Sequence, residues 1–220
     1  MPMPFKDRRS AGRALAEFLA EYEGYENCIV LGLLRGGVPV AYEVARRLGI
    51  PLDVFVVRKL GVPGQEELAM GAIATGGARV LNQDVIRSAN IPQASLDAAE
   101  DREREELQRR ETLYRGARGA LDLSGKVVIL VDDGLATGAT MRVAVQAARQ
   151  QGPDQIIVAV PTAPAEVCTR LKSEADDVIC LLTPRMFGGV GRWYQNFDQT
   201  TDAEVRELLS HAPASSSGHG

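Results

Sequence analysis

Apolar residues recur along the chain in two rhythms. Five runs of strand length are apolar nearly throughout: CIVLGLL (28–34), LDVFVVR (52–58), KVVILV (126–131), QIIVAV (155–160) and VICLLT (178–183). Strands without alternation are covered on both faces. Around them, apolar positions recur at helical spacing. Ala14, Leu15, Phe18 and Leu19 predict a helix over residues 10–23, capped by Ser10 or Asp7. Val38, Ala41, Val44, Ala45 and Leu48 share one face of a helix over about 38–48, with Pro39 in its first turn and Gly49 just beyond its end. Further helices are predicted over residues 141–151, about 164–175 and about 202–209, the last opened by Thr201 with Glu204 as a capping box. Buried strands separated by helices make an α/β fold, a mostly parallel sheet with helices on both faces.

Residues 60–120 depart from this rhythm. Turn signals stand at Val62-Pro63-Gly64 and Gly76-Gly77, and the runs 70–75 and 78–81 predict an inserted hairpin. From Ser95 to about Arg115 the chain reads as a charge-rich, solvated helix laced with i,i+4 ion pairs, each worth about 0.3–0.5 kcal/mol. HAPASSSGHG (211–220) has the composition of a disordered tail. The expected organisation is one domain over residues 1–210, with a lid or insert at 60–120 and a small hood with a C-terminal helix at 184–209.

Composition narrows the function. The 25 Lys and Arg against 29 Asp and Glu give a net charge of −4, so a broad polyanion-binding face and a nucleic-acid partner are not expected. The only histidines, His211 and His219, lie in the tail, which excludes His-based triads and HExxH sites from the folded part. Cys28, Cys168 and Cys180 are scattered with no CxxC, which reads as reduced core thiols in a cytoplasmic protein. No run approaches the roughly 18 apolar residues of a membrane span, and the opening MPMPFKDRRS has no apolar signal core.

In a parallel α/β sheet, the loops leaving the carboxyl ends of the strands share one edge, where ligands bind. The unusual sequence sits in those loops: RGGVP, Arg58-Lys59, DDGLATGAT, PTAP and TPRMFGG. VILVDDGLATGATM (128–141) carries the strongest signal. Gly138, Ala136 and Ala139 let the backbone approach a ligand, and the amides of 137–140 point at an anion from a helix N-terminus, with Thr137 and Thr140 adding hydroxyls. This suits one phosphate monoester. It is not a triphosphate P-loop, because no GK[ST] follows, and GxGxxG is absent. Asp132 and Asp133 beside such a cradle suit the hydroxyls of a sugar phosphate or a cation.

VILVDDGLATGAT resembles the phosphoribosyl pyrophosphate (PRPP) motif of type I phosphoribosyltransferases, and the resemblance extends over roughly residues 28–197. It implies that Asp132, Asp133, Gly134, Ala136, Thr137, Gly138, Ala139 and Thr140 bind PRPP, with Mg2+ as cofactor held through Asp132 and Asp133. It also implies that Leu34, Arg35, Gly36 and Gly37 form the pyrophosphate loop, often built on a non-proline cis peptide, where two glycines tolerate unusual dihedrals. Arg58 and Lys59 are similar to the family's basic pair near pyrophosphate. Arg35, Lys59, Asp132 and Asp133 are then the catalytic candidates. A lid is implied between the second core strand and the PRPP strand, with 61–67 and 114–119 as its moving pieces. The hood would hold a small-molecule base, with Phe187 and Trp193, and beside them Tyr194, available to stack. A homodimer is the family's usual state. Members that use 6-oxopurines carry Asp where this chain has Ala136, and a Lys near Val160-Pro161-Thr162, so the resemblance does not point to hypoxanthine or guanine. The stretch 184–209 is most similar to predicted bacterial phosphoribosyltransferases of unassigned substrate.

Three functions remain open from sequence. The first is Mg2+-dependent transfer of ribose 5-phosphate to a base. The second is a PRPP-sensing regulator without transfer. The third is a sugar-phosphate hydrolase, for which no general base is evident. Arg35 and Lys59 favour transfer.

Overall fold

The computed structural model describes residues 5–116 and 118–213. The chain opens with α1 (Arg8–Glu17), a 3-10 turn (Ala20–Tyr22), β1 (Cys28–Leu33), α2 (Gly37–Leu48) and β2 (Leu52–Phe55). β3 (Val57–Val62), β4 (Gln65–Ala74), β5 (Arg79–Leu81), α3 (Gln83–Ser88) and α4 (Gln93–Arg115) follow. The rest is β6 (Val127–Val131), α5 (Ala139–Arg149), β7 (Gln155–Thr162), α6 (Ala165–Leu171), β8 (Asp177–Leu182), a 3-10 turn (Val190–Trp193) and α7 (Asp202–His211). Both candidate caps of the first helix act together. Asp7 Oδ1 accepts from Ser10 N–H at 2.7 Å, and Ser10 Oγ accepts from Asp7 N–H at 3.0 Å, so the helix starts at Arg8.

The main sheet is parallel, ordered β2-β1-β6-β7-β8. The chain runs outward from β1 to β2 on one side, and from β6 through β7 to β8 on the other. β1 and β6 therefore meet where the strand order reverses, which opens a crevice at their carboxyl ends. One face of the sheet packs on α5 and α6 through Met141, Val145, Val167 and Leu171. The other packs on α1, α2 and α7 through Leu15, Val44, Leu48 and Leu208. The C-terminal helix is thus part of this core.

The run LDVFVVR is not one strand. Thr75 takes Val56 on both sides: its Oγ1 accepts from Val56 N–H at 3.0 Å, and its N–H donates to Val56 O at 2.9 Å. The chain leaves the parallel sheet there and enters an antiparallel one, ordered β3-β4-β5. Arg58 and Lys59 therefore stand in β3 and do not end a core strand. The predicted 70–81 hairpin is β4 and β5, and α3 was not anticipated.

α4 is not merely a solvated helix. Leu96, Ala99 and Leu107 pack with Leu60, Met70 and Ile73 into a core of their own. Its charges reach other elements: Arg58 with Glu103, Arg79 with Glu100, and Arg115 with the buried Asp53 at 3.1 Å. The expected intrahelical pairs exist as well, and Arg109 and Arg110 hold the Glu106 carboxyl down to about 2.

Two further expectations are corrected. His211 is the last residue of α7, and Pro213 O accepts from Leu52 N–H at 3.4 Å, so the chain is still packed at the start of the expected tail. Residues 214–220 of that tail, and residue 117 of the 114–119 turn, lie outside the described residues. Cys168 and Cys180 form a disulfide between α6 and β8. Twelve residues apart in sequence, they are brought together because α6 folds back along the strand that follows it. The inference from three reduced thiols to a cytoplasmic protein therefore loses its premise. Only Cys28 is a free thiol, and burial pushes it up to about 12. No described helix is long and apolar enough to cross a membrane.

A thiol titration without reductant is accordingly expected to find none in the native protein and one in denaturant. Prior reduction in denaturant raises the count to three. Three reactive thiols in unreduced, denatured protein would contradict the disulfide.

Candidate active site

β6 delivers the chain at the switch point, and the loop that leaves it is shaped by two glycines. Gly138 has φ 74°, and a Cβ there would stand 2.7 Å from Val167 Cγ1. Gly134 has φ 154°, with Thr162 O and Val190 pressed against it. Leu135 N–H donates to Thr162 O at 3.0 Å, which ties the loop to β7. Ala139 N–H donates to Thr137 Oγ1 at 3.3 Å as α5 begins. The result is a cavity of about 160 Å³ lined by Asp132 and by residues 134–141. The first-turn amides of α5 lie along it, where a helix favours an anion.

The loop after β1 closes on the same point. Its Leu34–Arg35 peptide is cis. Gly37 sits so close that a Cβ would lie 2.6 Å from Val131 O and 2.9 Å from Asp132 Cα, and a Cβ at Gly36 would collide with the Asp133 carboxylate. Gly36 itself has ordinary helical dihedrals, φ −60° and ψ −31°. The first of these glycines is thus required for space, not for the unusual dihedrals expected from sequence. Arg35 reaches Asp202 at the start of α7, Nη1 to Oδ1 at 3.1 Å, and Tyr114 OH donates to that same oxygen at 2.8 Å. Together they hold the Asp202 carboxyl below its ordinary range. Beside this loop, a cavity of about 30 Å³ is lined by Leu34, Val56, Arg110 and Thr140, among others.

The two acids differ. Asp132 Oδ1 accepts from Asp133 N–H at 2.8 Å. Burial, reinforced by the Asp133 charge, pushes the Asp132 carboxyl well above its ordinary value. Burial also raises Asp133, but there the Arg8 guanidinium pulls the other way, with Nε 2.7 Å from Oδ2. Tyr194 OH donates to Asp133 O at 2.5 Å.

A small-residue loop at a helix N-terminus, a half-buried acid pair and a glycine loop against it all meet at one sheet edge. Residues 6–194 match the family model described as the phosphoribosyl transferase domain. The chain belongs to that family. Two Mycobacterium tuberculosis proteins provisionally named phosphoribosyl transferases are 51% identical over 208 residues, 94% of this chain. The chain spans 47% of their length. The "Bifunctional protein PyrR" of Bacillus cereus is 29% identical over 70% of this chain and 67% of its own. Among solved structures, TT1426 from Thermus thermophilus is similar at 46% identity and TM-score 0.83, covering 94% of this chain and 98% of that one.

The fold unites most of the phosphoribosyltransferase positions read from sequence. Gly36 and Gly37 lie against Asp132 and Asp133, Leu34 lines a cavity with Thr140, and Arg35 turns to Asp202. Two sets come from segments beside these loops: Val56 and Val57, where β3 begins, line a cavity with Leu34 and Thr140, and Val190 packs against Gly134. Arg58 is bound to Glu103 of α4, and Lys59 is an exposed residue of β3. In the 184–197 stretch, Trp193 Nε1–H donates to Phe187 O at 3.1 Å, so the two base-site candidates are neighbours, both partly exposed. Tyr194 is buried against Asp133, Phe5 and Phe197 and is not available to stack on a ligand. Arg8 was missed, because nothing in KDRRS distinguishes it from its neighbours.

Among the described residues no three acidic, histidine or cysteine side chains cluster as a metal cage. The donor set still fits Mg2+, which typically takes one or two carboxylates and completes its shell with water and substrate phosphates. Asp132 and Asp133 would hold it with the substrate.

Two outcomes follow. Because the folded pKa of Asp132 is raised, the folded state binds more protons than the unfolded chain, and stability falls as pH rises above the ordinary carboxylate range. Asp132→Asn keeps the acceptor for Asp133 N–H and removes the charge. It is expected to melt higher than wild type at pH 7, by about 2–4 °C per kcal/mol recovered, with the gap closing below about pH 4. An equal or lower melting point at pH 7 would contradict this. Gly36→Ala is expected to lose about 1–3 kcal/mol through overpacking and to weaken sugar-phosphate binding. Unchanged denaturation and binding would show that the approach is not tight.

Proposed function

We propose that this chain is a Mg2+-dependent phosphoribosyltransferase domain that transfers the ribose 5-phosphate of PRPP to a nitrogenous base with release of pyrophosphate. The observation that carries the reading is the contact of the 34–37 loop with the acid pair, beside a helix-capped phosphate loop. The 5-phosphate would rest on the amides of 137–140, and the ribose hydroxyls on Asp132 and Asp133. The pyrophosphate would lie along 34–37. The C1–O bond breaks, with the electron pair leaving on pyrophosphate, and a C1–N bond forms with a base that loses a proton. Arg35 would stabilise the departing charge, which requires its guanidinium to exchange Asp202 for the pyrophosphate. Mg2+ bound with the substrate would neutralise part of the same charge. Arg58 and Lys59 of β3 are the further basic candidates for the pyrophosphate, and Arg58 would have to exchange Glu103 for it. Phe187 and Trp193 are the base-stacking candidates. Ala136 and Thr162 offer no charged reader, so the base remains the open term. A homodimer, and a cytoplasmic setting where PRPP is made, belong to the same proposal.

Binding without transfer is a second reading, favoured by one observation. Asp133, Arg35 and Arg58, three groups expected on PRPP, are paired instead with Arg8, Asp202 and Glu103.

A pyrophosphate-release screen with PRPP, Mg2+ and a panel of purine, pyrimidine and pyridine bases separates the two. Turnover with one base is expected. Calorimetry is expected to show PRPP binding that EDTA and the double substitution Asp132→Asn with Asp133→Asn both abolish. Binding without turnover on any base would favour the regulator. No binding at millimolar PRPP would overturn both.

A further inference from the structure

Arg8 lies outside every motif and yet bonds one of the site's two acids. It is the first residue of α1, and the reciprocal Asp7–Ser10 cap fixes where that helix begins. The segment before it is clamped to the 193–196 stretch by three backbone bonds. Phe5 N–H donates to Trp193 O at 2.7 Å, Gln195 N–H to Phe5 O at 2.7 Å, and Asn196 N–H to Lys6 O at 2.9 Å. The guanidinium is held on three sides: Nε on Asp133 Oδ2 at 2.7 Å, Nη1 on Asp198 O at 2.6 Å, and its face 3.9 Å from the Phe197 ring centroid. The side chains of Arg8 and Asp133 are only 12% and 13% exposed. An arginine so enclosed has lost most of its hydration and its rotamer freedom, and it cannot drift from its partner as a surface pair does.

The geometry matters because two adjacent carboxylates are otherwise a poor receptor. Their charges oppose each other, and a lone buried carboxylate gains by taking up a proton or turning away. With Arg8 in place, one acid of the pair is balanced and pinned between the guanidinium and Gly36, while no cation pairs with Asp132 among the described residues. The sugar then meets two acceptors of fixed orientation.

We propose that Arg8 is a positioning residue of the ribose site, acting through Asp133 to make hydroxyl recognition selective without touching the sugar itself. This rests on the functional reading above. It assigns the N-terminal segment a part in the site, although that segment is remote in sequence from the PRPP motif.

The test is calorimetry with ribose 5-phosphate and 2-deoxyribose 5-phosphate, which share the phosphate and differ by one hydroxyl. Wild type is expected to prefer the ribose compound. Arg8→Gln is expected to weaken ribose 5-phosphate about tenfold, within the coupling range of contacting residues, while changing the deoxy compound by less than about twofold. The same substitution in an Asp133→Asn background is expected to have no further effect on selectivity. Arg8→Lys, which keeps the charge but not the guanidinium geometry, should fall between, and supplies the reading if Arg8→Gln does not fold. Equal weakening of both ligands would mean that Arg8 only supports the fold. Unchanged selectivity, or tighter ribose 5-phosphate, would overturn the proposal, the latter by showing that Arg8 competes with the sugar. Failure of wild type to bind either sugar phosphate would overturn the functional reading, and this inference with it.

Discussion

The arrangement depends on how closely two loops approach at the strand-order reversal. The chain leaving β1 passes so near the chain leaving β6 that Gly36 and Gly37 leave no room for a Cβ against Val131, Asp132 and Asp133. That approach brings a glycine loop, a carboxylate pair and the N-terminus of α5 to one place. It follows from the parallel sheet, because only strands of the same direction put both loops on one edge. It also gathers backbone amides and two acids in one crevice, with Arg35 in the adjoining loop bonded to Asp202.

Assembling those groups has an energetic cost. Asp132 is buried beside another acid, and its charge is opposed by both facts. Elsewhere the protein pairs its buried charges. Asp53 lies against Arg115, and Asp133 against Arg8. Among the described residues no cation pairs with Asp132, the pattern expected where a site must be ready for a ligand rather than satisfied by its own chain. The aromatic group of Phe5, Tyr194 and Phe197 packs around the Arg8–Asp133 pair. It encloses Asp133, while Asp132 lines the cavity.

Much of this was legible in the residues. Continuous apolar runs gave the parallel strands and helical spacing gave the helices, because both periodicities record which faces are buried. The acid pair and the small-residue loop announced a site, because that composition has no role in packing. Contacts made by ordinary residues over long sequence distance were not legible. Arg8 and Asp133 are 125 residues apart. Thr75 diverts the second strand at Val56 by two hydrogen bonds that leave no trace in the hydrophobic pattern. Cys168 and Cys180 read as scattered until α6 folds back on β8. The helix over 93–115 looked solvated because its apolar stripe is narrow, and its cross-element ion pairs look the same in sequence as surface ones. Gly36 was expected for its dihedral freedom and proved necessary for its lack of a side chain.

The most direct test is a crystal of this protein soaked with ribose 5-phosphate. The phosphate is expected on the amides of Thr137 to Thr140, with the sugar hydroxyls on Asp132 and Asp133 and Arg8 still bound to Asp133. Density for the sugar phosphate elsewhere, or a vacant loop with both carboxylates bonded only to the protein, would leave the fold standing and remove the site.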